Sequence, residues 1–159
     1  MIGLDAPYGE QRVSVAVPPV PGDEGGARRL AAAYWQEVAS FSRGLVRVRD
    51  RGCGPELRLI GLLPLLRFGV PTTSVTDDVV ECRCPIRGGL LAAAPGGFLV
   101  LSQRGAGPAE VSIAVEDFTA RLAVGGSRGL RRRLFDLLQV PLHERIGRRY
   151  LARAARGEL

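Results

Sequence analysis

Hydrophobic positions alternate with polar ones along most of the chain and switch to helical spacing in two places. The longer is the last. From Ser127 to Arg156, Leu130, Leu134, Leu137, Leu138 and Pro141 recur at three- and four-residue steps, followed by Leu142, Ile146 and Tyr150. Ser127 suits an N-cap and Gly157 a stop, and an unbroken helix of this length would run for about 45 Å. Pro141 has no N–H and crowds the carbonyl four residues back, so a kink is expected there, letting both halves follow a curved sheet. The other helical stretch, Ala27–Ser42, carries Leu30, Tyr34, Val38 and Phe41 as one stripe. Asp23 and Glu24 place acid ahead of it, where the dipole favours acid, and Gly44 can end it. Trp35 lies about 100° from Tyr34 and reads as a covering residue at the stripe's edge.

The remaining segments read as strands. Arg12–Val17 alternates and then meets Pro18-Pro19. After the first helix, Leu45–Asp50 sets Val46 and Val48 against Arg47 and Arg49. A turn at Arg51–Pro55 leads to Glu56–Gly61, with Leu57 and Leu59 on one face. Leu62–Val70 is interrupted by Pro64 and Gly69 and reads as a strand followed by a bend. Val79–Ile86 sets Val80, Cys82, Cys84 and Ile86 against Glu81 and Arg83. Leu90–Ala94 continues it, Pro95-Gly96-Gly97 turns, and Phe98–Gln103 returns. In Glu110–Val124 the apolar phase reverses: Val111, Ile113 and Val115 share one face, and Phe118, Ala120 and Leu122 the other. A bulge near Glu116-Asp117 would reconcile them. Gly125-Gly126 then releases the chain into the last helix.

The order is strand, helix, about six antiparallel strands, long C-terminal helix. Together with the stretch PIRGGLLAAAPGGFLVLSQ (residues 85–103), it resembles the START-like superfamily, also called polyketide cyclase/dehydrase and lipid transport or SRPBCC. The resemblance implies one α+β domain over residues 1–159, with the helix-grip fold. In it, a curved antiparallel sheet of six or seven strands wraps the C-terminal helix around a ligand cavity. The family often has two helices after the first strand, where this sequence offers one. Under this resemblance the sheet side of the cavity is Val46, Val48, Leu57, Leu59, Val80, Cys82, Cys84, Phe98 and Val100. The helix closes it with Leu134, Leu138, Leu142 and Ile146, and Tyr34, Arg58 and His143 supply polar groups. No catalytic signature accompanies the resemblance and fold alone does not fix function.

Composition shifts the picture little. The 159 residues suit one domain, long enough to bury about 68–70% of its unfolded surface. Net charge is +6, and all 22 basic residues are Arg; there is no Lys and no Asn. An anion-binding surface is one explanation, and codon bias toward Arg, Ala, Gly and Pro is the plainer one. The first residues carry no secretion-signal pattern, and the apolar patch Leu57–Val70 is too short and interrupted to span a bilayer. A soluble cytoplasmic protein with reduced cysteines is therefore expected.

The candidate chemistry is sparse. His143, the single histidine, lies at the border of the apolar helical face, about 60° from Ile146. It reads as a rim residue or a general base. No strained serine elbow of the GxSxG type is present. Cys82 and Cys84 share a strand face about 7 Å apart, which suits small core residues better than a shared metal, so no metal or cofactor is expected. The paired glycines fit turns, and without Lys no Walker loop is possible. Arg131, Arg132, Arg133, Arg145, Arg148, Arg149, Arg153 and Arg156 line the last helix. They can snorkel, meet a ligand carboxylate, or face an acidic protein or anionic lipid. No helix-turn-helix, zinc finger or aromatic RNP pattern points to nucleic acid. The expected function is binding of a small hydrophobic or amphipathic ligand without catalysis. The alternatives are an interaction module using the Arg-rich helix, and a cyclase- or hydratase-type enzyme with Tyr34, Arg58, His143 and Asp117 in the cavity.

Overall fold

A computed structural model describes residues 10–50, 52–92, 94–118 and 140–159, with side chains from 143 onward in the last segment. Over these described residues it is an α+β structure: an open antiparallel sheet and two helices, one of them C-terminal. The elements are β1 (Gln11–Val15), α1 (Glu24–Phe41), β2 (Val46–Asp50), β3 (Pro55–Leu59), β4 (Leu63–Phe68), β5 (Thr72–Val75), β6 (Val79–Gly88), β7 (Phe98–Arg104), β8 (Ala109–Glu116) and α2 (Val140–Ala155).

The sheet runs β1-β8-β7-β6-β4-β3-β2, with β5 also paired to β6. Ten-residue β6 organises it. Thr72–Val75 pairs with its first half, and Arg67 and Phe68 of β4 pair with Gly88 and Ile86 at its far end. So β4 and β5 occupy one edge of β6 and β7 the other. Leu62–Val70 is a strand followed by a bend, as expected, but Thr72–Val75 form β5, which the sequence did not signal, giving eight strands among the described residues where six or seven were expected. Register shifts at Leu57/Arg58 and at Arg67/Phe68 accommodate the irregular β4. β8 ends at Glu116, and Asp117, whose φ is +51°, stands where a bulge was expected; Ala120 and Leu122, the rest of the opposite-phase set, lie outside the described residues. Left-handed Asp117 brings Phe118 to the same side as Val115, where both line one cavity.

Asp23 caps α1 by accepting a hydrogen bond from the Gly26 N–H at 2.7 Å, and Glu24 lies in the first turn. The helix therefore begins three residues earlier than its apolar stripe suggests. At its end the Ser42 hydroxyl donates within reach of the Val46 carbonyl and accepts from the Val46 N–H at 3.0 Å, tying the helix to β2. Leu30, Tyr34 and Val38 are buried, as the stripe predicts. Trp35 is half-buried and lies between Tyr34 and Phe68, with ring centroids 5.1 and 5.0 Å away.

The 16 residues of α2 span about 24 Å and bury Ile146, Tyr150, Leu151 and Ala154. Residues 127–139 of the predicted helix, and with them the question of a kink at Pro141, lie outside the described residues. The helix packs on β1, β8 and α1. Gly147 permits this: a Cβ there would come within 2.7 Å of the buried Gln11 amide on β1. Tyr150 meets Tyr34 edge-on at 5.9 Å, joining the two helices over the inner sheet face. That face contributes Val80, Cys82, Cys84 and Ile86 from β6, Leu99 and Leu101 from β7, and Val111 and Ile113 from β8. Across the second helix contact, buried Glu37 of α1 takes Arg149 at 3.1 Å and Arg153 at 3.3 Å. Among the described residues no helix is long and apolar enough to cross a membrane.

Candidate functional site

The inner apolar layer is not filled everywhere. Between the β2–β3–β4 end of the sheet and the two helices lies a cavity of about 160 Å³. Strand alternation builds its floor, because Val46, Leu57 and Leu59 point inward while Arg47 and Arg58 point out. Leu65, Leu66 and Phe68 of β4, Ile86 of β6, Leu99 of β7 and Val115 of β8 continue it. Tyr34, Val38 and Ser42 come from α1, and His143 and Ile146, one helical turn apart, come from α2. Leu57, Leu59, Leu65, Leu66, Phe118 and His143 are only half-buried, so this wall reaches the surface.

The described lining holds no charged side chain and three with polar groups. Ser42 is occupied by Val46 and by the Ala39 carbonyl. Burial pushes the Tyr34 phenol well above its ordinary pKa, so it keeps its proton. His143 differs: its Nε2 is buried and has no hydrogen-bond partner. Burial also lowers its pKa below 6.5, against an opposing pull from Glu144, so the ring is neutral near pH 7. An unmet buried nitrogen costs about 1–3 kcal/mol.

Of the expected site residues, Tyr34, His143 and Ile146 come together on this cavity, with Val46, Leu57 and Leu59. Val80, Cys82 and Cys84 are buried in the core beyond it. Hydrogen bonding to Cys82 and burial push the Cys84 thiol far up, keeping it protonated. Phe98 and Val100 are on the wrong phase for the inner face. The Phe98 ring lies under the Arg83 guanidinium at 4.8 Å, and inward-facing Leu99 takes the expected place. The reason is that FLVL is apolar on both faces, so alternation alone does not fix its phase. Arg58 also points away, toward Glu56 at 3.5 Å and the Gly61 carbonyl at 3.2 Å. Asp117 is exposed at the end of β8. Leu134, Leu138, Arg131, Arg132 and Arg133 lie outside the described residues, as does the side chain of Leu142. Arg145 is exposed, Arg148 is 4.0 Å from Glu144, and Arg149 is held by Glu37.

Sequence reasoning read Leu62–Val70 as a strand but did not assign Leu65 and Leu66 to the lining, and it missed Leu91, which lies in a turn after β6 where a continuation of that strand was expected. It also missed the clasp between Gln103 and Val20. The Gln103 amide accepts from the Val20 N–H at 3.1 Å and donates to its carbonyl at 2.9 Å, pinning the proline-rich loop after β1. A larger void of about 410 Å³ lies beside that loop, walled by Pro18–Gly22 and the Thr76–Asp78 turn. Its one buried polar side chain, Gln103, is already satisfied by Val20, so nothing there awaits a ligand.

Compared with protein-family models, curated proteins and solved structures, the chain has no match.

Proposed function

We propose that this chain is a ligand-binding domain of helix-grip type, holding a small, mainly apolar molecule between its sheet and its helices. The fold part of this reading is supported by the strand path. Among the described elements the first strand pairs with the last, a helix follows the first strand, and a helix lies at the C-terminal end. The observation that carries the function is the apolar cavity of about 160 Å³ itself, left open where the rest of the inner layer is packed. Unfilled apolar space forfeits packing contacts that a guest restores.

The volume narrows the ligand. Typical ligand pockets run to about 300–1,000 Å³, and about 160 Å³ is too little for a sterol, a diacyl lipid or a multi-ring polyketide. Binding is favoured over catalysis because Arg58 and Asp117, which an enzyme of the cyclase or hydratase type would employ inside, point elsewhere. The acidic-partner reading has less support, since Arg149 and Arg153 are already engaged by Glu37.

Native mass spectrometry of protein purified without detergent tests the reading, beside a thermal-shift panel of small apolar compounds and lipids. A retained low-mass compound, or a saturable rise in melting temperature with small apolar compounds, is expected. A ligand-free mass together with no shift across the panel would overturn it.

A further inference from the structure

Five of the eight large hydrophobic side chains that the described residues leave exposed gather at one end of the sheet: Leu45, Ile60, Leu62, Leu63 and Leu90. Backbone hydrogen bonds tie their segments together. The Ile60 N–H donates to the Leu45 carbonyl at 2.6 Å, and the Leu90 N–H to the carbonyl of Pro64, next to Leu63, at 3.0 Å. We infer that this end, the tip of the β3–β4 hairpin, docks on a bilayer surface carrying anionic lipid. The aliphatic side chains enter the interface, and the arginines behind them meet the headgroups. This goes beyond the cavity reading and does not depend on it.

The turn is built against local preference. The Leu62 N–H donates to the Leu59 carbonyl at 3.0 Å, and the two residues between them, Ile60 and Gly61, have φ of +53° and +73°. Positive φ at both central positions is the type I′ arrangement, which favours Asn-Gly, and a β-branched residue in the left-handed region is an outlier. Ile60 stands there all the same, 61% exposed, with Leu62 after it at 76%. The core gains little from either side chain, so their use lies outside the chain.

Charge selects the occupant. Arg47 and Arg58 are opposite each other in register. The Arg58 guanidinium donates to the Gly61 carbonyl at 3.2 Å, and the Arg47 side chain passes 3.7 Å from where a Gly61 Cβ would stand. Strands β2–β4 carry Arg47, Arg49, Arg58 and Arg67 against Asp50 and Glu56, and Glu56 is shared by Arg58 and Arg67. Among the described residues, no carboxylate is within ion-pair reach of Arg43, Arg47 or Arg49, all of them exposed. An aliphatic tip with unpaired cations behind it matches an anionic bilayer, apolar within and negative at its surface. A second copy docking tip to tip would set arginine against arginine. A protein partner would need a pocket shaped to the turn, whereas a lipid interface takes the turn as it is.

Co-sedimentation with vesicles tests this, using equal parts of phosphatidylserine and phosphatidylcholine beside phosphatidylcholine alone. The wild type is expected to bind the mixed vesicles, to bind the neutral ones at least about tenfold more weakly, and to lose affinity as salt is raised. Ile60→Asn supplies the residue the turn prefers. Its urea midpoint should therefore equal or exceed that of the wild type, while its affinity for mixed vesicles falls about five- to tenfold. Leu62→Ser should weaken binding by a similar factor and decides the matter if the Asn variant does not fold. Replacing Arg47 and Arg49 together by Gln should weaken binding about tenfold or more. No binding to the mixed vesicles, or equal binding to both kinds, overturns the inference. So does binding that neither Ile60→Asn nor Leu62→Ser weakens, because another face would then hold the lipid. A wild-type dimer that these variants dissociate would make a second copy the occupant and overturn it as well. The cavity reading stands or falls separately from all of these results.

Discussion

Arg153 on α2 lies 3.3 Å from the carboxylate of Glu37 on α1, and Glu37 is almost wholly buried. With Arg149 at 3.1 Å on the other oxygen, one acid from the first helix fixes two successive turns of the last. This contact sets how α2 lies over the sheet, and so where His143, at the other end of the helix, meets the cavity. Glu37→Gln keeps the shape and removes the charge. We expect it to cost about 1–3 kcal/mol, since a charge-assisted pair is lost and Arg153 is left partly buried. Arg148→Gln, whose exposed partner Glu144 is 4.0 Å away, should change stability by less than about 0.5 kcal/mol. Urea titration of the two variants checks the contrast.

The Gln103 clasp on Val20 predicts a second effect. Gln103→Leu strands the Val20 N–H and carbonyl in a buried place, where each unmet group costs about 1–3 kcal/mol. A loss of about 2–4 kcal/mol is expected, with hydrogen exchange at the Val20 amide accelerated more than at the β6–β7 amides.

Tyr150 makes the opposite case. It is completely buried and its hydroxyl has no hydrogen-bond partner. Tyr150→Phe keeps the ring against Tyr34 and removes the unmet group, so it should be neutral or stabilise by up to about 1 kcal/mol. A loss of 2 kcal/mol or more in chemical denaturation would show that the hydroxyl is bonded in solution.

His143 ties stability to pH. Burial lowers its folded-state pKa below the ordinary 6.5, so below that pH the unfolded chain binds more protons than the folded one. Its contribution is fully present above about pH 6.5 and is lost as pH falls toward the folded-state value. Stability measured at pH 7.5 and again at pH 5 should drop more in the wild type than in His143→Leu. An equal drop in both would remove the buried-histidine account.

How much of this was readable in advance depended on whether one face or two faces of a segment were apolar. In β6, Glu81 and Arg83 separate Val80, Cys82 and Cys84, so the inward face was plain, and both cysteines are indeed in the core. In α1 the stripe Leu30, Tyr34, Val38 gave the buried face directly. β7 defeated the same logic: Leu99, Val100 and Leu101 are all buried, and the phase is set by Gln103 reaching inward to a loop over eighty residues away in sequence. β5 is TTSV, mostly exposed, and has no apolar face to signal a strand; its pairing to β6 defines it. The Arg149–Glu37–Arg153 contact was hidden for a similar reason. The spacing of four residues put both arginines on one helix face, but the acid between them comes from another element.

The apolar space under α2 is read most directly by xenon. In crystals under xenon pressure, a xenon atom is expected inside the cavity, within contact of Leu57, Leu99 and Ile146, because these walls are apolar and the void is large enough. A cavity that stays empty under pressure, its walls collapsed onto one another, would contradict the account.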